Sequence, residues 1–165
     1  MPTKNKTLIT VVGPTAIGKT SLGIDLAKHF NTEIISCDSR QFYKEMHIGT
    51  AVPEAEELAA AKHHFIQNRS IFEDYNVGDF EKDALQTLEV LFKKHNIVIM
   101  VGGSGLYVDA VLKGFDHFPK IDPDIRKELN ERLHNNGLEN LQMQLKELNI
   151  RTYETIAIDL SLIHI

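Results

Sequence analysis

Tryptophan is missing from these 165 residues, and there is only one cysteine, Cys37, so no disulfide can close within the chain. That absence fits a reducing compartment and sets the expectation of a cytoplasmic protein. No apolar run approaches the roughly 18 residues that a membrane-spanning helix needs. The stretch Leu8–Val12 is too short for a signal-peptide core and ends in Gly13-Pro14. Basic charge is also scarce. Lys and Arg number 18 against 23 Asp and Glu, a net charge of −5, so any nucleic-acid contact must be local and argued from motifs. The pair His63-His64 has no Cys or carboxylate at metal-site spacing, which speaks against zinc. Cys37 reads as a small core residue rather than a nucleophile.

The residues present describe alternating strands and helices. Leu8–Val12 is a short, largely β-branched run, the pattern of a buried parallel strand. A turn-rich loop follows over Gly13–Gly18, then Lys19–Phe30 with apolar residues near helical spacing. Glu33–Cys37 predicts a second strand, Pro53–Lys62 a helix, His63–Ile66 a short strand and Val77–His95 a longer helix. Ile97–Val101 is the clearest buried strand, followed by Gly102-Gly103-Ser104-Gly105 and a helix over Leu106–Leu112. The expected fold is α/β, a three-layer α/β/α parallel sheet of the P-loop NTPase type, over residues 1–113. From Lys113 the character changes. Residues 114–150 predict the start of a small helical lobe, with helices over Asp122–Asn135 and Leu138–Leu148 split by Asn135-Asn136-Gly137. Residues 151–165 form an atypical tail, mostly apolar over Ile156–Ile165, read as a strand or as a truncated or altered end.

Gly13-Pro14-Thr15-Ala16-Ile17-Gly18-Lys19-Thr20 matches G-x-x-x-x-G-K-[ST] at every fixed position, between a predicted strand and a predicted helix. Glycines there permit backbone turns and close approaches that a Cβ would block. Successive amides can then face one anion at a helix N-terminus. Lys19 would reach the terminal phosphates and the Thr20 hydroxyl would ligate Mg²⁺. A bound di- or triphosphate follows, but the loop does not say what the phosphates carry. Asp38 sits just past the second strand, on the side where open α/β sheets gather ligands. It is either a metal-water ligand or general base, or the cap of a following helix. Ser104 is either a donor to a phosphate or leaving oxygen, or part of a tight turn.

Taken in order, the loop, Asp38-Ser39-Arg40-Gln41-Phe42-Tyr43, His47-Ile48-Gly49-Thr50-Ala51, His63-His64-Phe65-Ile66, Tyr75–Phe80 and Val101-Gly102-Gly103-Ser104-Gly105-Leu106-Tyr107 resemble the tRNA dimethylallyltransferases over roughly Thr7–Leu148. The resemblance implies transfer of a dimethylallyl group from dimethylallyl diphosphate to N6 of the adenosine just 3′ of the anticodon. It implies that Gly13, Pro14, Thr15, Ala16, Ile17, Gly18, Lys19 and Thr20 cradle the diphosphate with Mg²⁺. Asp38 would be the general base, with Ser104 and Lys19 at the leaving oxygen. Asp38, Ser39, Arg40, Gln41 and, from the helical lobe, Arg126 would contact tRNA. A monomer without membrane contact is expected.

There are departures. Val52 stands where the family usually has Lys, and Ser104 where it often has Thr. The family is longer than this chain, and its Asn-Pro-x-Arg pattern is absent where Asp159–Ile165 stands. The chain is therefore expected to bind diphosphate with weak or absent turnover. Two rivals share the loop. A small-molecule P-loop kinase would need an arginine-bearing lid, and Lys113–Leu148 holds only Arg126 and Arg132. A prenyltransferase of free adenylates would need no helical lobe.

Overall fold

The computed structural model describes residues 5–114 and 121–155. The chain divides into two compact units, Met1–Asp116 and His117–Ile165. The first carries β1 (Thr7–Val12), α1 (Lys19–Phe30), β2 (Ile34–Ser36), α2 (Ala55–Ala60), β3 (His63–His64), α3 (Val77–Lys94), β4 (Ile97–Gly102) and α4 (Gly105–Lys113). Its strands form one parallel sheet in the order β1-β4-β2-β3.

The sheet is covered on both faces, and the alternation along each strand says by what. Ile35, Val98 and Met100 face one way and pack with Phe80, Ala84, Leu88 and Leu91 of α3 and Val108 and Val111 of α4. Ile34 and Ile99 face the other way and pack with Ile24 and Ala27 of α1, with Ala60 of α2 against them. This is the three-layer α/β/α arrangement expected, with its central strands apolar on both sides.

Asn76 opens α3 by accepting from the amides of Gly78 and Asp79, and the Asp79 carboxylate accepts from the Asn76 amide at 3.2 Å. That reciprocal pair is a capping box. Asn31 closes α1 in the left-handed conformation at φ 48°.

Three expected boundaries shift. The helix predicted over Pro53–Lys62 is confined to Ala55–Ala60. The strand predicted over His63–Ile66 stops at His64. Phe65 and Gln67 take positive φ, 63° and 47°, which breaks the extended run. The Phe65 side chain is buried against Phe42 and Phe80 instead. The second strand is trimmed to Ile34–Ser36, although the Cys37 amide still donates to the Val101 carbonyl at 2.7 Å.

Phe42 is fully buried and centres an aromatic cluster, with Phe80 stacked at 5.1 Å, Tyr107 at 5.6 Å and Tyr75 at 5.7 Å. It follows directly on Asp38–Gln41, so the core anchors that loop without any regular secondary structure within it.

At the sheet edge, Glu33 accepts from Lys62 Nζ at 3.0 Å and contacts His64 Nε2 at 2.7 Å. Burial pushes the Glu33 carboxyl up, but hydrogen bonds and charge from Lys62 and His64 outweigh it and hold the group below its ordinary 4.5. A depressed carboxyl stabilises the fold above its unfolded value and loses that contribution as pH falls through the folded one. Glu33→Gln is therefore expected to cost less than about 1 kcal/mol at neutral pH. It should also flatten the loss of stability that the parent chain shows on acidification below that ordinary value. Urea midpoints near pH 7 and about pH 3 check this; parallel acid profiles would contradict it.

The second unit contains α5 (Pro123–Leu148) and α6 (Ile150–Thr155). The Asp122 side chain caps α5 by accepting from the Asp124 amide at 3.0 Å. At Gly137 the backbone turns to φ 78°, ψ 171°, so α5 is two helices across a kink, the expected split. Leu129, Leu133, Leu141, Leu145 and Leu148 line the groove between its arms. The tail expected from residue 151 is helical as far as Thr155; the remainder, 156–165, lies outside the described residues.

Candidate active site

The glycine loop fills the turn from β1 into α1. Gly13 and Gly18 take φ 154° and 90°, and Ala16 joins them at 66° without being glycine. Positive-φ residues spaced through a loop are the kind of backbone that can turn successive amides toward one anion. Gly18 begins α1 and no side chain caps it. The first-turn amides and the positive end of the helix dipole are thus free to meet an anion. Lys19 arches back over the loop, its ammonium donating to the Pro14 carbonyl at 2.7 Å.

Asp38 leaves the sheet one residue past Cys37. No helix follows until α2, so it does not cap one. Its Oδ1 accepts from the Arg40 amide at 3.1 Å and its carbonyl from the Gln41 amide at 3.0 Å, a local turn that fixes the carboxylate. A Cβ built on Gly103 would lie 3.6 Å from the Gly13 carbonyl, 3.9 Å from Asp38 Oδ2 and 4.0 Å from Lys19 Nζ. Gly103 therefore marks the point where loop, ammonium and carboxylate converge.

Ser104 stands at the start of α4 but its hydroxyl does not cap that helix. Its Oγ accepts from the Ser39 amide at 3.1 Å and donates to Ser39 Oγ at 3.2 Å. The Asp38 turn and the turn after β4 are thereby stitched together. The Cys37 thiol beneath them is fully buried, and burial with the neighbouring Asp38 charge pushes its pKa up to about 12, so it stays protonated and unreactive.

These elements enclose a cavity of about 350 Å³ lined by Thr15, Ala16, Gly18, Lys19, Thr20, Asp38 and Gln41 together with Ser21, Ala51, Val52, Glu54 and Glu57. Seven residues named from the sequence thus share one wall. Of the others, Gly13 approaches Gly103, Pro14 holds Lys19, Ile17 is exposed, and Ser39 is bonded to Ser104. Arg40 is exposed, and Arg126 belongs to the second unit, beside Lys127, Asn130 and His134 on one face of α5. Ala51 enters the sequence reading only as part of a family block, and Ser21, Glu54 and Glu57 are not among its site residues. Only the fold brings Glu54 and Glu57, at the start of α2, to the cavity.

The fold and the loop together define an α/β protein whose first strand-to-helix turn carries the G-x-x-x-x-G-K-[ST] pattern. Within that class the chain belongs to the IPP transferase family, whose profile matches residues 41–160. It is 63% identical over 154 residues to a tRNA dimethylallyltransferase of Flavobacterium johnsoniae, covering 93% of this chain and 50% of the relative. It is 65% identical over 149 residues to the enzyme of that name from Flavobacterium psychrophilum, covering 90% and 48%. The chain thus spans about half the length of the curated relatives it matches. Among solved structures it resembles the tRNA isopentenylpyrophosphate transferase of Bacillus halodurans, with 36% identity, a TM-score of 0.66, and coverage of 93% of this chain and 51% of that one. It also resembles a eukaryotic dimethylallyltransferase acting on tRNA, with 25% identity, a TM-score of 0.74, and coverage of 93% and 38%.

Proposed function

We propose that this chain supplies the diphosphate-binding and proton-accepting half of a tRNA dimethylallyltransferase. The observation that carries the reading is that the loop, Lys19 and Asp38 line one cavity and approach one another beside Gly103. A phosphate cradle alone would serve a kinase equally well. A carboxylate fixed beside it adds a proton acceptor for an incoming amine.

In this reading the amides of Gly13–Thr20 and Lys19 hold the diphosphate of dimethylallyl diphosphate. The adenine N6 of the tRNA forms a bond to the allylic carbon as the carbon–oxygen bond breaks. Diphosphate departs with the electron pair, and the N6 proton passes to Asp38. Charge growing on the departing oxygen meets donors already in place, which is where most of the rate comes from in such sites. The Thr20 hydroxyl, an oxygen donor on the cavity wall, suits a hard cation such as Mg²⁺. Thr20 would hold it, and it would neutralise phosphate charge. The target base must leave the anticodon stack to reach a carbon held in a cavity. The face of α5 bearing Arg126, Lys127 and His134 is proposed to contact the RNA backbone.

Calorimetric titration tests the donor. Dimethylallyl diphosphate with Mg²⁺ should bind at least about tenfold more tightly than ATP with Mg²⁺, a difference of about 1.4 kcal/mol. Preference for ATP, with label passing from its terminal phosphate to a small acceptor, would replace this reading with the kinase one.

A further inference from the structure

Gln41 lies in the cavity wall, yet its amide is already occupied. Oε1 accepts from Ser36 Oγ at 3.2 Å, at the buried end of β2. Nε2 donates to the Thr50 carbonyl at 3.2 Å and to the Ala51 carbonyl at 2.8 Å, which uses both amide hydrogens. Among the described residues no other side chain bonds those two carbonyls. The segment they belong to needs holding. Ala51 sits at φ 49°, a left-handed conformation that costs a non-glycine residue of order 1 kcal/mol. Gly49 before it is also left-handed at φ 78°, and Ile48 is exposed at 95%. Beyond the Gln41 clamp, the segment is tied by the Thr50 hydroxyl donating within it to the Met46 carbonyl at 2.6 Å, and by a 3.2 Å contact between the His47 ring and Gln67. Ala51 and Val52 then form part of the cavity wall, along with the loop, Lys19 and Asp38.

We infer that Gln41 is a positioning residue: it holds the His47–Val52 segment against the end of β2 and so sets the width of the slot that takes the organic tail of the diphosphate. This differs from the direct nucleotide contact that the family resemblance suggests for Gln41, and it rests on the function proposed above. The phosphate end is gripped by the glycine loop, which Gln41 does not touch. The tail is what a loosened wall would fail to hold.

The test uses Gln41→Ala and Gln41→Glu in the whole chain. Glutamate can still accept from Ser36 but cannot donate to the two carbonyls. Hydrogen–deuterium exchange is followed over residues 47–52 and over β4, and affinity is measured for Mg²⁺-pyrophosphate and Mg²⁺-dimethylallyl diphosphate. Loss of two hydrogen bonds, each worth about 1 kcal/mol net, is expected to speed exchange at 47–52 by about tenfold or more in both variants, with β4 unchanged. Affinity for the prenyl diphosphate should fall about tenfold, and that for pyrophosphate by less than about twofold. A general loss of structure would instead speed β4 as well and weaken both ligands alike, and would overturn the inference. So would unchanged exchange and unchanged prenyl-diphosphate affinity, the pattern of a residue that only meets the nucleotide. If the parent chain bound pyrophosphate but showed no gain from the prenyl tail, the proposed function and the slot-setting role would both fall. Exchange at 47–52 would still decide whether the clamp exists.

Discussion

Replacing Gly102 with alanine is expected to destabilise the first unit severely, whereas the same change one residue later should keep its stability and weaken its ligand binding. A Cβ on Gly102 would lie 1.9 Å from the Cys37 carbonyl oxygen and 2.4 Å from its carbon. Those are backbone atoms of the strand crossing beside β4, held there by the Cys37 amide on the Val101 carbonyl at 2.7 Å. They cannot swing aside as a side-chain tip would. Relief requires parting β2 from β4, the pairing at the centre of the sheet. Overpacking usually costs about 1–3 kcal/mol, and a clash with fixed backbone belongs beyond that range, at about 4 kcal/mol or more. Out of the about 5–15 kcal/mol of a domain of ordinary stability, such a loss removes about a quarter or more. At Gly103 the nearest atom to the added methyl is 3.6 Å away, an ordinary contact. Gly103→Ala should therefore keep the parent's urea midpoint within about 0.5 kcal/mol. Its methyl would stand between Lys19 and Asp38, so diphosphate affinity should fall. Circular dichroism in urea and calorimetry on the pair read both effects; equal midpoints for the two variants would refute the close crossing at Gly102.

That pair also shows what could be read from the chain alone and what could not. The run Gly102-Gly103-Ser104-Gly105 reads as small residues near a ligand, but spacing cannot say which glycine meets the Cys37 backbone and which stands near Lys19 and Asp38. β1, β4 and α1 were legible as elements because their signals are local, apolar strand runs and helical periodicity, although β1 lies at the sheet edge with none of its residues buried, where a buried strand is expected. α3 was legible for the same reason, since Asn76 and Asp79 cap it within a few residues of where its apolar stripe begins. The boundaries that moved are governed by distant partners. Phe65 leaves the strand because Phe42 and Phe80 bury it, and no residue near 65 in the chain announces that. Ser104 and Ser39 are bonded across 65 positions. Both were named as site residues, yet their use of one another lies outside any pattern. Gln41 is the sharpest case. The family resemblance names it as a tRNA contact, and a motif names a side chain without saying where its hydrogen bonds go.

Lys19 and Asp38 offer the strongest test of the site because their removal should move diphosphate affinity in opposite directions. Lys19 makes one hydrogen bond, to Pro14 within its own loop, and takes part in no ion pair among the described residues. Lys19→Ala should therefore fold with the parent's stability. It deletes the one cationic side chain that lines the cavity among the described residues. Charge-assisted hydrogen bonds contribute about 1.5–3 kcal/mol, and a group meeting two phosphates belongs at the upper end, so binding should weaken about a hundredfold or more. Asp38 brings a negative charge to the same point, near Gly103. Asp38→Asn keeps an oxygen to accept from the Arg40 amide, so the turn should persist. Losing the charge removes repulsion toward the phosphates, and affinity should hold or rise by a few fold, about 1 kcal/mol at most at this exposure. Proton acceptance is lost at the same time, so any transfer of label from dimethylallyl diphosphate to tRNA should fall by about 10²–10⁴. Tighter diphosphate binding with lost transfer is the signature of a base that does not hold the ligand it acts beside. If Asp38→Asn weakened binding as Lys19→Ala does, the carboxylate would be part of the phosphate grip, as a metal-ordering group, and a different proton acceptor would have to be found along this cavity.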